Sequence, residues 1–199
     1  MTIGIGFKCS DGIVLAAHTQ LTAGDSHKIY ECKMQPHYTD EANVTFAFAG
    51  DRVLWKSFND KFDDALGLVP RPLTVHKIKN VIEGLLRHFE VLDTNPTELC
   101  LLCAIAIPDD GYALCKTEGH ALHEVHQYDY VGSGDSLLLR FLGPLLTAPP
   151  PVAPVDQAGY IVRQAVMIAA YLVLKAITFV PGCGGETTVW VCDLMALWK

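Results

Sequence analysis

Apolar residues alternate with small ones from the second position of the chain onward. Ile3, Ile5 and Phe7 occupy every other position of TIGIGFKC, which is the period of a half-buried strand. GIVLAAHTQ at 12–20 predicts a second strand, and the Ser-Asp-Gly sequence at 10–12 predicts the hairpin turn between them. Because chain ends usually gain little by ordering, this pattern predicts that the first residues are held in place.

Helical periodicity follows two more predicted strands, at 27–34 and 43–50. Asp51 can cap a first helix and Thr74 a second one. The predicted apolar stripe of the first helix consists of Val53, Leu54, Phe58, Phe62 and Leu66, and that of the second consists of Ile78, Val81, Ile82, Leu85, Leu86 and Phe89. The first half of the chain is therefore predicted as strands followed by two helices.

The second half of the chain repeats this order. Predicted strands at 99–107, 111–117, 121–126 and 128–131 are followed by predicted helices at 135–146 and 155–179 and by a closing strand, ETTVWVCDLM. Two sheets stacked face to face, with a helix pair outside each, bury these apolar faces most economically. The predicted class is α+β, a four-layer αββα sandwich of two antiparallel sheets in a single domain, 1–199.

Charge and composition exclude several classes of function. The net charge of −7, with 15 Lys+Arg, argues against a nucleic-acid partner or an anionic membrane surface, because both need a basic patch. Arg163, Gln164 and Lys175 interrupt the longest apolar segment, 158–180, which favours a helix covered by protein over a membrane span. Seven cysteines without a secretory leader pattern predict reduced thiols and a cytoplasmic location.

Metal or cofactor chemistry is not predicted. Cys100 and Cys103 form a CxxC, but it lies inside the apolar run LCLLCAIAI, which is typical of a buried strand. His120, His123 and His126 fall on alternating faces of a predicted strand, so the three cannot easily meet one ion. We expect these residues to be packing and surface positions.

Four segments in the same order resemble a proteasome β-type subunit. TIGIGFKCSDGIVLAAHTQLTAG is similar to the first two strands of that family, and NVTFAFAGD to the strand and glycine turn before its first helix. YDYVGSGDS and PGCGGETTVWVCD resemble its two later glycine turns. The resemblance implies an N-terminal-nucleophile (Ntn) hydrolase fold and assembly of identical chains into stacked rings.

The resemblance also implies a catalytic set. The nucleophile falls on Thr2, whose free α-amine, once Met1 is removed, would act as base with a pKa near ~8. Lys33 matches the active-site lysine, the backbone N–H of Gly50 matches the oxyanion donor, and Ser133 matches the serine beside the threonine amine. Substrate-binding positions fall on Leu21, Thr22, Phe48 and Arg52.

Several positions depart from the family pattern. The aspartate expected to pair with the lysine is His18, the nearby arginine is Gln20, and the aspartate and serine of the last glycine turn are Val180 and Cys183. A buried lysine without an opposite charge tends to lose its proton. Neutral His18 can accept its hydrogen bond but supplies no negative charge.

Three functions remain open at this stage. The first is a proteasome β-like subunit that assembles but has lost catalysis; the second is an active threonine peptidase that uses Thr2 on peptide substrates. The third, a small-molecule amidase of the same fold, has no positive support in the sequence. Ring size and a regulatory ATPase partner stay open. The departures at His18 and Val180 favour the first function.

Overall fold

A computed structural model describes residues 3–23, 27–91, 99–132, 140, 143–144, 160–180 and 182–193. Eleven strands and three helices lie in these ranges. The strands are β1 (Gly4–Lys8), β2 (Gly12–His18), β3 (Gln20–Ala23), β4 (His27–Tyr30), β5 (Met34–Tyr38), β6 (Asn43–Gly50), β7 (Leu99–Ile107), β8 (Gly111–Glu118), β9 (Ala121–Val125), β10 (Tyr128–Val131) and β11 (Thr187–Asp193). The helices are α1 (Arg52–Gly67), α2 (Val75–Val91) and α3 (Val162–Phe179).

The strands form two main antiparallel sheets and a separate hairpin. One sheet has the order β10-β1-β2-β11, the other the order β5-β6-β7-β8-β9, and β3 pairs with β4. Residues from both sheets, among them Leu15, Ala47 and Leu102, meet in one buried cluster. The two sheets therefore pack face to face.

Helices cover the outer faces of both sheets. A second cluster joins the five-stranded sheet to α1 and α2, and a third joins the four-stranded sheet to α3. Strand alternation divides the side chains between layers, since Phe46 and Phe48 of β6 point to the helices while Ala47 and Ala49 face the other sheet. The predicted layered αββα class is confirmed, with three helices in the described residues.

Most predicted elements have counterparts in the structure. Asp51 caps α1 by accepting hydrogen bonds from the N–H groups of Val53 and Leu54 at 2.7 and 2.8 Å, and Thr74 Oγ1 accepts from Lys77 N at 3.2 Å before α2. The predicted helix at 135–146 falls almost wholly outside the described residues, and α3 begins at Val162, inside the predicted range 155–179.

One strand prediction is wrong. The predicted single strand at 27–34 is instead the short β4 followed, after residues 31–33, by β5. β4 pairs with β3, whereas β5 pairs with β6 as the edge of the five-stranded sheet. Pro36 obscured β5 in the sequence, although an edge strand tolerates proline because one side of it needs no N–H donor.

Helix α3 has two different apolar faces. Its buried side is mostly small residues, including Ala165, Ala169 and Ala176, and packs on the four-stranded sheet. The helix has 18 residues with a mean hydropathy of 1.5, so by length and composition alone it could cross a membrane. The contacts with the sheet show that one side of this helix belongs to a protein core.

The aromatic cluster beneath α1 gives a first testable prediction. Phe46 is fully buried and its ring meets those of Phe58 and Phe62 edge-on at 5.3 and 4.8 Å between centroids. We expect Phe46→Ala to lower the free energy of unfolding by about 3–5 kcal/mol, because it leaves a cavity and removes these ring contacts. Chemical denaturation monitored by circular dichroism measures the change.

Val53→Ala is the control for that experiment. The sequence places Val53 in the apolar stripe of α1, but the residue is 73% exposed, so that prediction is wrong. Its truncation should therefore change the stability by less than about 0.5 kcal/mol. Equal losses in the two variants would contradict the packing described for this layer.

Candidate active site

Lys33 lies at the junction of three segments of the chain. It is the last residue of the connection from β4 to β5, and the residue as a whole is 1% exposed. Its Nζ lies 3.1 Å from Nε2 of His18, the last residue of β2. The same ammonium also donates a hydrogen bond to the backbone carbonyl of Gln20. A long cationic side chain is thus fixed at its tip by polar groups of β2 and β3.

A glycine-rich turn at 182–186 closes the other side of this cluster. The Nδ1 atom of His18 is 3.0 Å from the carbonyl oxygen of Gly184. Gln20 contributes two hydrogen bonds of 3.1 Å, from its side-chain Nε2 to Gly182 O and from its backbone N–H to Gly184 O. His18 and Gln20, the two departures from the family pattern in β2 and β3, therefore both bind this turn.

Burial controls the ionisation of the site. It lowers the pKa of Lys33 to about 7, against a smaller upward effect of the nearby Cys183 thiol. Burial, together with the charge of Lys33, lowers the pKa of His18 to about 4, while the hydrogen bond to Gly184 opposes this. Burial also raises the pKa of Cys183, and Lys33 acts in the opposite direction. At neutral pH the imidazole is uncharged and the amine is close to its midpoint.

Gly50 is the last residue of β6, two residues after the position at which β6 contacts Lys33. The N–H of Phe48 donates to Lys33 O at 3.2 Å, and Gly50 follows two residues later with a positive φ of 110°. Glycine adopts this conformation without the strain that a Cβ would cause. The strand thus brings the predicted oxyanion residue and the predicted lysine into neighbouring segments.

The predicted substrate-binding positions lie in different surroundings. Phe48 is buried in the core, stacked on Trp55 at 4.6 Å between ring centroids, and does not line an open cleft. Arg52 is at the start of α1, with its Nε 2.6 Å from Glu31 Oε2. Leu21 and Thr22 lie in β3, where their backbones pair with Ile29 and Lys28.

Two predicted catalytic residues, Thr2 and Ser133, lie outside the described residues. The neighbouring backbone is described, and Gly4, the first residue of β1, pairs with Ala17 on one side and Val131 on the other. The start of β1 is therefore flanked by the strand end that carries His18 and by the strand that leads towards Ser133. Their catalytic roles stay predictions.

The sequence did not indicate the contribution of the residues around the turn. Cys183 is buried, and its N–H donates to the carbonyl of Val180 at 3.1 Å.

Beside the turn lies an open cavity of about 490 Å³, lined by Thr19, Tyr30, Glu31, Cys32, Gly185 and Glu186. Within the described ranges, no three His, Cys, Asp or Glu side chains are arranged to hold a metal ion.

Comparisons with known proteins place this architecture. No protein family and no curated protein matches the chain by sequence. Among solved structures, it is similar to an Anbu (Gly-1) mutant from Hyphomicrobium sp. strain MC1, with a TM-score of 0.79 and 14% identity over 97% of this chain and 82% of that one. It is also similar to the structure of the helical assembly of the Anbu complex from Pseudomonas aeruginosa, with a TM-score of 0.77 and 14% identity over 96% of this chain and 81% of that one.

The structure of eukaryotic HslV from Trypanosoma brucei is also similar, with a TM-score of 0.65 and 15% identity over 96% of this chain and 99% of that one. Together with the paired antiparallel sheets and the outer helices, these similarities define the fold class of the chain. The chain has the fold of the proteasome-like Ntn hydrolases. The resemblance seen in the sequence motifs is confirmed at the level of the fold.

The buried amine predicts a specific dependence of stability on pH. Between about pH 7 and 10.5 the folded state has released the Lys33 proton that the unfolded chain still binds, so raising the pH favours folding. We expect the free energy of unfolding of the wild type, relative to Lys33→Met, to rise by about 1 kcal/mol per pH unit between pH 7.5 and 9.

Urea unfolding of both proteins across this pH range measures the effect. Lys33→Met keeps the length and apolar character of the side chain, and effects of other titrating groups cancel in the comparison. Parallel stability curves for the two proteins would show that Lys33 remains protonated in the folded state.

Proposed function

We propose that the chain is a proteasome β-like subunit of a cytoplasmic homo-oligomer, in which the hydrolytic site has been converted to an inactive, structural one. The observation that carries the proposal is the Lys33–His18 contact of 3.1 Å. In that contact a neutral imidazole stands where the resembling family has a carboxylate. The proposal separates assembly, which the fold serves, from peptide hydrolysis.

The solved structures support the assembly part of the proposal. One of the similar Anbu structures is described as a helical assembly. Several large apolar side chains are exposed on α3 of the present chain, including Met167, Leu174 and Phe179 at 73%, 55% and 64%. Met167 and Leu174 are seven residues apart and therefore share one face of the helix. Exposed apolar residues of this kind are typical of surfaces that other protein covers.

The electrostatics of the site support the loss of hydrolysis. A carboxylate beside Lys33 would keep the amine charged and would add a fixed negative charge. With His18, the imidazole is uncharged and the Lys33 amine is close to its midpoint at neutral pH. Val180, at the other aspartate position, is buried among apolar residues and has no polar atom in its side chain with which to orient a serine or an amine.

A threonine peptidase is the second candidate, and one observation favours it. Lys33 is held by His18 and by the carbonyl of Gln20, and its pKa of about 7 suits proton transfer at neutral pH. In that case Thr2 would be the nucleophile, after removal of Met1, and Gly50 would donate to the oxyanion. Peptides would be the substrates.

Assembly is tested by size-exclusion chromatography with light scattering. We expect a species well above the mass of one 21.8 kDa chain, because further copies cover the exposed apolar residues. The measurement is repeated over a range of concentrations at physiological salt. A monomer throughout the micromolar range would remove the homo-oligomer from the proposal.

Hydrolysis is tested on protein whose intact mass shows that Met1 is absent. We expect no cleavage of fluorogenic peptides that end in basic, acidic or apolar residues, and no adduct at Thr2 with a threonine-directed electrophile, because the neutral imidazole of His18 stands beside Lys33 at the position where the resembling family has a carboxylate. Thr2→Ala serves as the background control and Thr2→Ser as the conservative variant.

An adduct at Thr2, together with cleavage that disappears in Thr2→Ala, would establish the peptidase and reject the structural proposal. The assembly measurement is independent of this outcome, so the two parts of the proposal succeed or fail separately.

A further inference from the structure

The hydrogen bonds of His18 define the tautomer of its imidazole. A carbonyl oxygen only accepts, so the 3.0 Å contact between Nδ1 and Gly184 O requires the proton on Nδ1. The other assignment would use a contact of 3.5 Å from Gly184 N to Nδ1 and would leave two lone pairs facing each other at 3.0 Å. With Nδ1 protonated, Nε2 accepts a hydrogen bond from Lys33 at 3.1 Å.

This tautomer gives His18 two simultaneous roles. It accepts from Lys33 on one side and donates to the glycine turn on the other. An ionised carboxylate has acceptors only, so aspartate at position 18 could pair with Lys33 but would turn an oxygen towards Gly184 O. Whatever replaces His18 must therefore supply a donor as well as an acceptor.

Gln20 shows the same requirement. Its Nε2 donates to Gly182 O at 3.1 Å, so both carbonyls that the turn directs towards the site receive side-chain donors. The fit is close, because a Cβ built on Gly184 would lie 2.1 Å from Gln20 Oε1. Gly184 O also accepts from the backbone N–H of Gln20 at 3.1 Å, so loss of the His18 donor would remove one of its two hydrogen bonds, in a site where His18 and Gln20 are both buried and a lost hydrogen bond is costly.

We propose that His18 is a positioning residue whose essential property is its neutral donor to the 182–186 turn, and that His18 and Gln20 together clamp this turn, with Cys183 in it, against the Lys33 amine. The substitutions at 18 and 20 are thus one adaptation of the site and not two independent losses. The inference concerns the site named in the proposed function but does not require that the site be active or inactive.

Among the described residues, three groups that carry no fixed charge face Lys33. His18 comes from β2, Cys183 from the turn, and the carbonyl of Gln20 from β3. Burial lowers the pKa of the histidine and raises that of the thiol, so both are uncharged at neutral pH. The charge of Lys33 is the quantity that changes near pH 7.

The decisive comparison is His18→Asn against His18→Asp. The two side chains have the same shape, but only the amide carries a donor. Alkylation of Cys183 by iodoacetamide at pH 8, followed by peptide mass mapping, reports opening of the turn, with exposed Cys32 as the internal standard. We expect His18→Asn to react within about threefold of the wild-type rate, and His18→Asp about tenfold faster, the factor for one lost buried hydrogen bond.

A second readout separates positioning from simple destabilisation. In His18→Asp the new carboxylate keeps Lys33 protonated, so the rise in stability between pH 7.5 and 9 should disappear, whereas His18→Asn should retain it. If His18→Asp does not fold, Gln20→Glu tests the same donor requirement at Gly182 O, with Gln20→Met as the uncharged variant that also lacks the donor. Both should speed the alkylation of Cys183.

The opposite order would overturn the proposal. If His18→Asp protects Cys183 as well as the wild type does while His18→Asn exposes it, position 18 serves as a partner for the charge of Lys33. Unchanged alkylation in all four variants would show that the turn is held without these donors. None of these readouts uses peptide cleavage or oligomer mass, so failure here is distinguishable from failure of the proposed function.

Discussion

The burial of one lysine amine is the constraint on which the site depends. Removing an ammonium from water is so unfavourable that the group either finds an opposite charge or loses its proton. In the part of the chain that the structure describes, an imidazole, a carbonyl and a thiol face Lys33. None of these groups supplies a negative charge that would hold the proton on Lys33, and the imidazole and the carbonyl can accept a hydrogen bond from the neutral amine as well as from the ammonium.

That set depends on the sheet architecture. β2 is buried along its whole length, with β1 on one side and β11 on the other, so its last residue, His18, has little freedom to move. The chain then turns into β3, which places Gln20 against the same glycine turn. Because the turn leads directly into β11, the strand paired with β2, both partners of the His18–Gly184 hydrogen bond are fixed by one sheet, while Gln20 reaches the turn from the separate β3–β4 hairpin.

The sequence predicted the layers well because their signals are local and strong. The alternation in β1 and β6 separates two buried faces, one against the helices and one against the other sheet, so β1 is not the half-buried strand that the sequence predicts. The apolar stripes of α1 and α2 are largely buried, with Val53 as the exception. β5 was missed because five residues that include Pro36 carry little strand signal. The pairing of β5 with β6 depends on the tertiary structure and cannot be predicted from the local sequence pattern.

The sequence predicted the contact between Lys33 and His18 but not the geometry around it. Motif similarity identified Lys33 and His18 as partners, and the structure brings them together. The same similarity put Phe48 at a substrate surface, whereas local packing stacks it on Trp55 in the core. The role of the glycine turn was not predictable, since its acceptors are backbone carbonyls that every residue has, and only the fold aims them at donors.

Helix α3 leaves large apolar residues exposed on one side of the fold. Its alanines allow a close approach to the four-stranded sheet, while larger apolar residues, Met167, Leu174 and Phe179, point away from it. Lys175 lies with its Nζ 5.2 Å from the Tyr171 ring centroid and 5.4 Å from that of Phe179, so its charge stays at the edge of this face. The four-stranded sheet covers only one side of α3, and the exposed side combines these apolar residues with Arg163, Gln164 and Thr178. A homo-oligomer in which further protein covers the remaining side would satisfy this helix whether or not the Lys33 site hydrolyses peptides.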